Sequence, residues 1–213
     1  MGRGPLISIE GIDGAGKSTQ AQALASTLAA HGIPVVATFE PGATPVGTLL
    51  RDILLHGERT LGPETEVLLF LADRAEHVRQ VIAPALAAGT VVLCDRFTDS
   101  TLAYQGYGRG TDAEHLARLA RWNAELAGGL TPDLTLLLDC PIEEGARRRR
   151  RESDRYQRHG AVYHQRVRDG FRALAAAEPA RIRVIDSGAD LEAVRAEIAR
   201  LTLAWLAERG YPG

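Results

Sequence analysis

Residues Leu6–Thr19 read LISIEGIDGAGKST, and the fold prediction starts from these residues. A short apolar run is followed by glycines at positions 11, 14 and 16 and then by Lys17-Ser18, which completes the phosphate-loop pattern G-x-x-x-x-G-K-[ST]. Glycines let successive backbone N–H groups curve around phosphate oxygens, and the N-terminus of the following helix adds a favourable dipole. The stretch therefore predicts a strand, a phosphate-binding loop and a helix, in that order.

The positions of this loop have expected roles in binding ATP. We expect the loop backbone to hold the phosphates, Lys17 to bridge the β- and γ-phosphates, and the Ser18 hydroxyl to coordinate Mg²⁺. Lys17 is the only lysine of the chain, which makes a chance glycine-rich turn a poor explanation. The predicted ATP-binding residues are Gly11, Asp13, Gly14, Ala15, Gly16, Lys17, Ser18 and Thr19.

Outside this stretch, apolar runs of strand length alternate with longer segments of helical periodicity. The predicted strands are Leu6–Glu10, Pro34–Phe39, Thr90–Asp95, Leu134–Asp139 and Arg181–Ile185. The predicted helices are Lys17–His31, Thr44–Leu55, Pro63–Leu86, Asp112–Leu126, Pro141–Arg151, Ala161–Ala177 and Leu191–Glu208. This alternation indicates an α/β fold in which helices cover both faces of a doubly wound, five-stranded parallel sheet. The length suits a single domain over residues 1–213.

Composition excludes several classes of protein. A formal net charge of -2 and a pI near 6.3 argue against a nucleic-acid-binding protein. No apolar run approaches the roughly 18 residues of a membrane span, and the N-terminus lacks the apolar segment of a signal peptide. We therefore expect a cytoplasmic protein with no nucleic-acid or membrane partner, whose two cysteines, Cys94 and Cys140, are reduced and buried.

Phosphate loops occur in GTPases, ATP-driven motors and kinases, so a second feature has to distinguish these classes. The sole asparagine, Asn123, is followed by Ala124, so the Asn-Lys-x-Asp segment of GTPases is absent. A motor requires a longer chain and a strand that ends in consecutive acids, whereas Val91–Asp95 is followed by Arg96. We expect Asp95 to organise Mg²⁺ or its waters and Arg96 to hold an acceptor phosphate. This favours phosphoryl transfer between two nucleotides.

Five consecutive arginines at 147–151 precede a polar Glu-Ser-Asp break between two predicted helices. Such a run is often a solvated helix face, but the polar break favours a mobile helical lid over about residues 147–160. Because Ala15 provides no charge inside the phosphate loop, cations have to come from elsewhere. We expect Arg147 and Arg151 to supply them to the transferring phosphoryl group.

Taken together, these stretches resemble the bacterial thymidylate kinases over essentially the whole chain. The more specific signals are the Phe-x-x-x-Arg pattern at 70–74 and the Ser-Thr-Leu-Ala-Tyr-Gln-Gly stretch at 100–106. The other matching stretches lie at 10–19, 40–44, 69–77, 95–99, 108–110 and 132–134. The resemblance implies an enzyme that phosphorylates thymidine monophosphate (dTMP) to dTDP with ATP and Mg²⁺, in dTTP biosynthesis, as a homodimer.

The resemblance also implies how dTMP would bind. Phe70 would stack on the thymine ring, and Arg74, one helical turn further along, would hydrogen-bond the pyrimidine edge. Thr101 and Gln105 would complete the base pocket, whereas Tyr104 would crowd the sugar C2′ position and disfavour ribonucleotides. The remaining implied substrate contacts are Asp13 at the sugar 3′-hydroxyl, Arg51 and Arg96 at the acceptor phosphate, and Glu40.

Two positions depart from the family pattern. The residue before Glu40 is commonly arginine in the family, whereas this chain has Phe39, and Arg51 is the candidate to replace the missing cation. Gln157 stands where the family often has an acidic residue, and this difference bears on whether the lid binds a metal ion or the donor nucleotide.

Besides a degenerate homologue, for which Phe39 is the only motive, two other interpretations remain open at this point. One is a kinase for a different nucleoside or deoxynucleoside monophosphate, or for a deoxynucleoside. The other is an ATP-binding module without catalytic activity. Acceptor-dependent release of ADP distinguishes the second from a kinase.

Overall fold

The structure is a computed structural model that describes residues 2–57, 60–148, 156, 159–188 and 190–212. The strands are β1 (Leu6–Glu10), β2 (Val35–Phe39), β3 (Val91–Asp95), β4 (Leu134–Asp139) and β5 (Ile182–Asp186). The α-helices are α1 (Lys17–Ala30), α2 (Pro45–Arg51), α3 (Pro63–His77), α4 (Ala83–Ala87), α5 (Thr98–Thr101), α6 (Ala113–Leu126), α7 (Ile142–Arg148), α8 (Ala161–Ala177) and α9 (Leu191–Ala207). Turns of π type continue α2, α3 and α5 over Asp52–His56, Val78–Ile82 and Leu102–Gly106, and a 3₁₀ turn follows at Tyr107–Arg109.

The five strands form one parallel sheet in the order β2-β3-β1-β4-β5. The predicted doubly wound α/β fold is confirmed, and each predicted strand is found with its bounds displaced by at most one residue. The first strand lies at the centre of the sheet, between β3 and β4. The chain therefore reverses its direction of winding beside β1, and the loop that follows β1 opens into the crevice where such sheets bind ligands.

Burial follows this order, with the central strands enclosed and the edge strands partly exposed. Successive side chains of a strand point to opposite faces of the sheet. On one face, Ile7 and Ile9 pack in a cluster that includes Leu24 of α1. On the other face, Leu6 packs in a cluster that includes Leu86 of α4. Helices thus cover both faces, which is why the central strands read as continuous apolar runs.

The segment that follows β3 was not among the predicted helices, yet residues 98–109 are helical throughout. Its Ser, Thr and Gly content does not produce an amphipathic pattern of normal length. Contacts distant in sequence hold it instead, because Asp99 receives hydrogen bonds of 2.8 and 2.9 Å from Arg181 and of 3.0 Å from Thr135. Tertiary contacts, more than local propensity, position this segment.

Two further expectations concern cysteines and membranes. Cys94 and Cys140 are both buried free thiols. Among the helices of the described residues, none combines the length and the apolar character needed to cross a bilayer.

The placement of the core predicts the effect of truncating a buried side chain. Leu136 in β4 is fully buried, so Leu136→Ala should lower the free energy of unfolding by about 3 kcal/mol through lost transfer energy and a residual cavity. Val184→Ala is the matched control, because Val184 lies in β5 and is 51% exposed, and its cost should stay under about 1 kcal/mol. Urea unfolding followed by circular dichroism measures both, and equal losses would contradict the assigned core.

Candidate active site

The candidate site lies at the carboxyl ends of β1 and β3. These strands are neighbours, and their register places Ile9 opposite Asp95. The Ser18 hydroxyl, at the start of α1, donates a hydrogen bond of 2.5 Å to the Asp95 carboxylate. A hydroxyl and a carboxylate beside a phosphate loop are the hard oxygen ligands that Mg²⁺ prefers, so this pair fits the ion that the sequence predicts.

The phosphate loop is held against α7 by two glycines. Gly14 has φ = 83°, a conformation that favours glycine, and a Cβ atom at this position would overlap the Gly145 carbonyl oxygen. A Cβ atom on Gly145 would in turn approach the Asp13 carbonyl oxygen to 2.8 Å. The loop and α7 therefore touch through their backbones, and α7 leads directly into the arginine run.

Lys17 is nearly enclosed at the base of the loop, with 7% of its surface exposed. Its ammonium group donates a hydrogen bond of 2.9 Å to the Ile12 carbonyl oxygen. Burial, and next the positive charge of Arg96, lower the pKa of Lys17 from 10.5 to about 8. A cation that burial destabilises is stabilised by a phosphate group, so the loop is electrostatically prepared for an anion.

Arg96 adopts a backbone conformation that is uncommon for a residue with a side chain, with φ = 72°. Its guanidinium group forms an ion pair with Asp13 and donates hydrogen bonds of 3.1 Å to the Gly11 carbonyl oxygen and to the Tyr104 hydroxyl. The guanidinium carbon also lies 4.9 Å from the centre of the Tyr104 ring. These contacts hold a positive charge next to the phosphate loop.

The buried carboxylate of Glu10 anchors the chain that follows Arg96. One oxygen accepts a hydrogen bond of 2.7 Å from the Phe97 backbone N–H, and the other accepts one of 2.5 Å from the Ser100 hydroxyl. Burial, with a smaller effect of the Asp99 charge, raises the pKa of Glu10 to about 7. Glu10 was not among the predicted site residues, although it immediately precedes the phosphate loop.

A second cavity adjoins the loop and brings together all nine residues that the resemblance implied for dTMP binding. They are Asp13, Glu40, Arg51, Phe70, Arg74, Arg96, Thr101, Tyr104 and Gln105. The cavity at the phosphate loop, which Gly14, Lys17 and Ser18 line, shares four of them, namely Asp13, Glu40, Arg51 and Arg96. The two cavities therefore meet at two carboxylates and two guanidinium groups.

Arg74 is fixed in this second cavity by four hydrogen bonds and an ion pair. Glu40 accepts one of these hydrogen bonds from Nε at 2.9 Å, and the same carboxylate oxygen lies 2.8 Å from Nη2. The other three go to the Thr101 hydroxyl at 2.9 Å, the Asn123 side-chain oxygen at 2.5 Å and the Phe97 carbonyl oxygen at 3.0 Å. A base contact made by Arg74 has to share or replace one of these partners.

Glu40 is supported in turn by His77, which the sequence reasoning did not single out. His77 is fully buried and joins Glu40 at 3.0 Å through Nδ1 and Thr38 at 2.6 Å through Nε2. His77 follows Arg74 by three residues on α3, so both side chains lie on the same face of the helix. This spacing is the sequence signal that could have identified His77.

Arg51, the candidate to replace the missing arginine, lies beside Phe39. Its guanidinium group lies 5.8 Å from the centre of the Phe39 ring and donates a hydrogen bond of 2.6 Å to the Pro41 carbonyl oxygen. It borders both cavities. A cation is therefore present near position 39, although it comes from α2.

The arginines of the predicted lid differ in their placement. Arg147 is paired with Glu144 at 2.7 Å and its side chain is 77% exposed. Arg148 borders the cavities at the phosphate loop and donates a hydrogen bond of 2.7 Å to the Ser187 carbonyl oxygen. Arg151 and Gln157 lie outside the described residues, as does most of the lid. The structure thus places Arg148, which was not singled out within the run, closer to the loop than Arg147.

Tyr156 also contributes to the second cavity, and the sequence reasoning missed it. Its ring centre lies 6.1 Å from that of Phe70 and 6.0 Å from that of Tyr104. Tyr156 is far from both residues in sequence, and the residues that flank it are mostly charged or polar. No local pattern pointed to an aromatic wall at this position.

The fold and the two adjoining cavities place this protein in the class of P-loop nucleotide kinases, which bring two phosphate-bearing molecules end to end. A family model described as thymidylate kinase matches residues 9–198. The chain belongs to the thymidylate kinase family. It is therefore an enzyme, a transferase that acts on nucleotides.

Individual relatives agree with this assignment. The chain is 48% identical over 210 residues to a thymidylate kinase of Geobacter sulfurreducens, covering 94% of this chain and 97% of that one. It is 53% identical over 193 residues to a thymidylate kinase of a Synechococcus species, covering 91% and 92% of the two chains. The crystal structure of thymidylate kinase from Ehrlichia chaffeensis superposes with a TM-score of 0.75 at 34% identity, covering 94% of this chain and 99% of that one.

The lowered pKa of Lys17 predicts a stability effect. Between pH 8 and 10.5 the unfolded chain binds more protons at this residue than the folded chain, so its contribution to stability rises with pH. Below pH 8 the folded protein carries the full cost of a buried charge. Lys17→Met should therefore raise the free energy of unfolding of the ligand-free protein by roughly 2 to 3 kcal/mol at pH 7. The gain should shrink as the pH approaches 10.5.

Denaturant unfolding at pH 7 and at pH 10 measures the Lys17→Met effect. Gln22→Met on the exposed side of α1 is the control and should leave stability nearly unchanged. A Lys17→Met protein that is less stable than the parent at pH 7 would contradict the argument.

Proposed function

We propose that this enzyme transfers the γ-phosphoryl group of ATP to dTMP, giving ADP and dTDP. The observation that carries the proposal is the junction of the two cavities, because a donor phosphate at the loop and an acceptor phosphate in the second cavity would meet at Arg96 and Arg51. The aromatic and polar lining of the second cavity supports a base as the group bound at its far end. Family membership supports thymine as that base.

The reaction would rest on positioning and on neutralising charge. An oxygen of the dTMP phosphate attacks the γ-phosphorus of ATP, a P–O bond forms to that oxygen, and the bond to the ADP oxygen breaks. Lys17 would hold the donor phosphates, and Arg96 would hold the acceptor phosphate against mutual repulsion. Because the attacking oxygen is already anionic, no general base is assigned. The additional cations expected from the lid, Arg147 and Arg151, stay predictions.

Magnesium is part of the proposal. The Ser18 hydroxyl and the Asp95 carboxylate would hold Mg²⁺ directly or through its waters, and their hydrogen bond of 2.5 Å shows how close these ligands lie. When bound, the ion would neutralise phosphate charge and orient the donor. A hydrogen-bonded serine and aspartate at the loop are the support for this role.

The sugar would lie between Asp13 and Tyr104. Asp13 is held by Arg96, and the Tyr104 ring packs under the same guanidinium group. Burial raises the pKa of Tyr104, so its hydroxyl stays protonated. Exclusion of a 2′-hydroxyl by Tyr104 stays a prediction. The homodimer and the cytoplasmic location expected from the sequence stay predictions as well.

Turnover with a panel of acceptors tests the proposal. ADP release, measured with a coupled assay under identical conditions, should be much faster with dTMP than with dUMP, dCMP, dGMP or thymidine. Lys17→Ala should abolish it, because the main cation at the donor phosphates is lost. A clear preference for another acceptor would favour the alternative nucleotide kinase. ADP release that does not depend on any acceptor would favour an ATP-binding module.

Base stacking predicts a specific kinetic change. Stacking is made equally in the ground state and the transition state, so Phe70→Ala should raise the KM for dTMP roughly tenfold while kcat changes little. Leu68→Ala is the matched control, because Leu68 lies on the same helix with 52% of its surface exposed. Steady-state kinetics at saturating ATP measures both variants. An unchanged KM in Phe70→Ala would mean that the base lies elsewhere.

A further inference from the structure

The side-chain amide of Gln105 has one fixed orientation in the second cavity. Its Nε2 group donates a hydrogen bond of 3.1 Å to the Glu66 carboxylate and lies 3.5 Å from the Tyr156 hydroxyl. A carboxylate only accepts hydrogen bonds, so the NH₂ end of the amide has to face Glu66. The carbonyl end of Gln105 consequently faces away from Glu66.

Glu66 is itself held in place. Its side chain is 4% exposed, and the oxygen that accepts from Gln105 also lies 2.8 Å from the Arg109 guanidinium group. Burial, and next the charge of Glu66, raise the pKa of Tyr156, so Glu66 also lies close to the Tyr156 hydroxyl. A guanidinium group only donates hydrogen bonds, so the Glu66 oxygen that Arg109 and Gln105 share acts as an acceptor. That oxygen therefore holds the NH₂ end of the Gln105 amide.

The Gln105 carbonyl oxygen has no hydrogen-bond donor among the residues that the structure describes. Gln105 is only 3% exposed, yet it lines the cavity. An amide oxygen that lines a cavity without a donor from the protein is available to an N–H group of a ligand. The cavity thus presents an acceptor to a ligand.

Thr101 presents the opposite polarity one helical turn away. Its hydroxyl oxygen accepts a hydrogen bond of 2.9 Å from Arg74, which leaves its own proton free to be donated. Thr101 and Gln105 are separated by four residues in a helical segment, so both face the same cavity. Together they offer a donor beside an acceptor.

We propose that Glu66 is a specificity-determining residue: it fixes the Gln105 amide so that the cavity accepts an imide base edge, with a carbonyl beside an N–H, and rejects a cytosine edge. Thymine and uracil carry O4 beside N3–H, which matches a donor beside an acceptor. Cytosine carries an amino donor beside an unprotonated N3 acceptor. Its amino group would face the Thr101 donor, and its N3 would face the Gln105 carbonyl acceptor. This inference rests on the proposed function only in placing a pyrimidine in this cavity.

Binding measurements test the proposal separately from turnover. Isothermal titration calorimetry on the full chain gives Kd for dTMP, dUMP and dCMP, and the wild type should bind dCMP far more weakly than the other two. In Glu66→Met, the amide of Gln105 is free to turn, and Arg109 attracts its oxygen. The ratio of Kd for dCMP to Kd for dTMP should then fall about tenfold or more. The ratio for dUMP to dTMP should not change, because both bases carry the same edge.

Two further variants separate orientation from packing. Gln105→Met removes the amide, and adding Glu66→Met to it should cause no further loss of discrimination, since Glu66 acts through Gln105. If Glu66→Met does not fold, Glu66→Gln combined with Arg109→Met keeps the side-chain volume and lets both amides turn together, and discrimination should again fall. Arg109→Met alone keeps the carboxylate and should keep the preference.

The proposal is overturned if Glu66→Met folds and still discriminates against dCMP as the wild type does. It is also overturned if the dUMP and dCMP ratios fall together, or if the wild type binds dCMP as tightly as dTMP. A wild type that binds dTMP selectively but transfers no phosphoryl group would refute the proposed function and leave the role of Glu66 intact.

Discussion

A buried carboxylate joins the two halves of the active site. Glu10 ends the central strand, and its two oxygens hold the Phe97 backbone N–H and the Ser100 hydroxyl on the segment after β3. These hydrogen bonds fix the chain next to Arg96, which has the uncommon left-handed backbone conformation. The guanidinium group of Arg96 extends to the phosphate loop. Residues held in sparsely populated conformations persist only where surrounding contacts determine them, and they cluster at functional sites. The approach of donor and acceptor therefore depends on one fully buried acid.

The charged groups around this junction have hydrogen-bond or ion-pair partners within the protein before any substrate binds. Asp13 pairs with Arg96, Asp95 accepts from Ser18, and Lys17 contacts a backbone carbonyl group. Two nucleotides and a metal ion would exchange these partners for phosphate oxygens. Such exchange is inexpensive, because the cations are already positioned and already out of bulk water. The lowered pKa of Lys17 reflects the cost of holding one of them ready.

The base cavity is organised by a different principle, in which polar groups are oriented in advance. Arg74 is fixed through Glu40 and Asn123, and Gln105 is fixed through Glu66. Most of these supporting residues need not touch the nucleotide. They determine which atoms of the cavity donate and which accept, and a polar pocket rejects a mismatched ligand far better than an apolar pocket does. The aromatic residues, by contrast, supply contact area that any base could use.

The five strands, the phosphate loop and the family could be predicted from the sequence, because they depend on local patterns: apolar runs, glycine spacing and short motifs. The resemblance to the family also implied nine residues for dTMP binding, and the fold brings these nine to one cavity. The helical segment after β3, the hydrogen bonds of Glu10 and the position of Tyr156 in the cavity wall could be seen only in the folded protein. The folded protein also shows that Arg148 lies nearer the loop than Arg147, and that Glu66 faces Gln105. These features depend on contacts between residues that are distant along the chain, and neither periodicity nor a motif records the distance or the direction of such a contact.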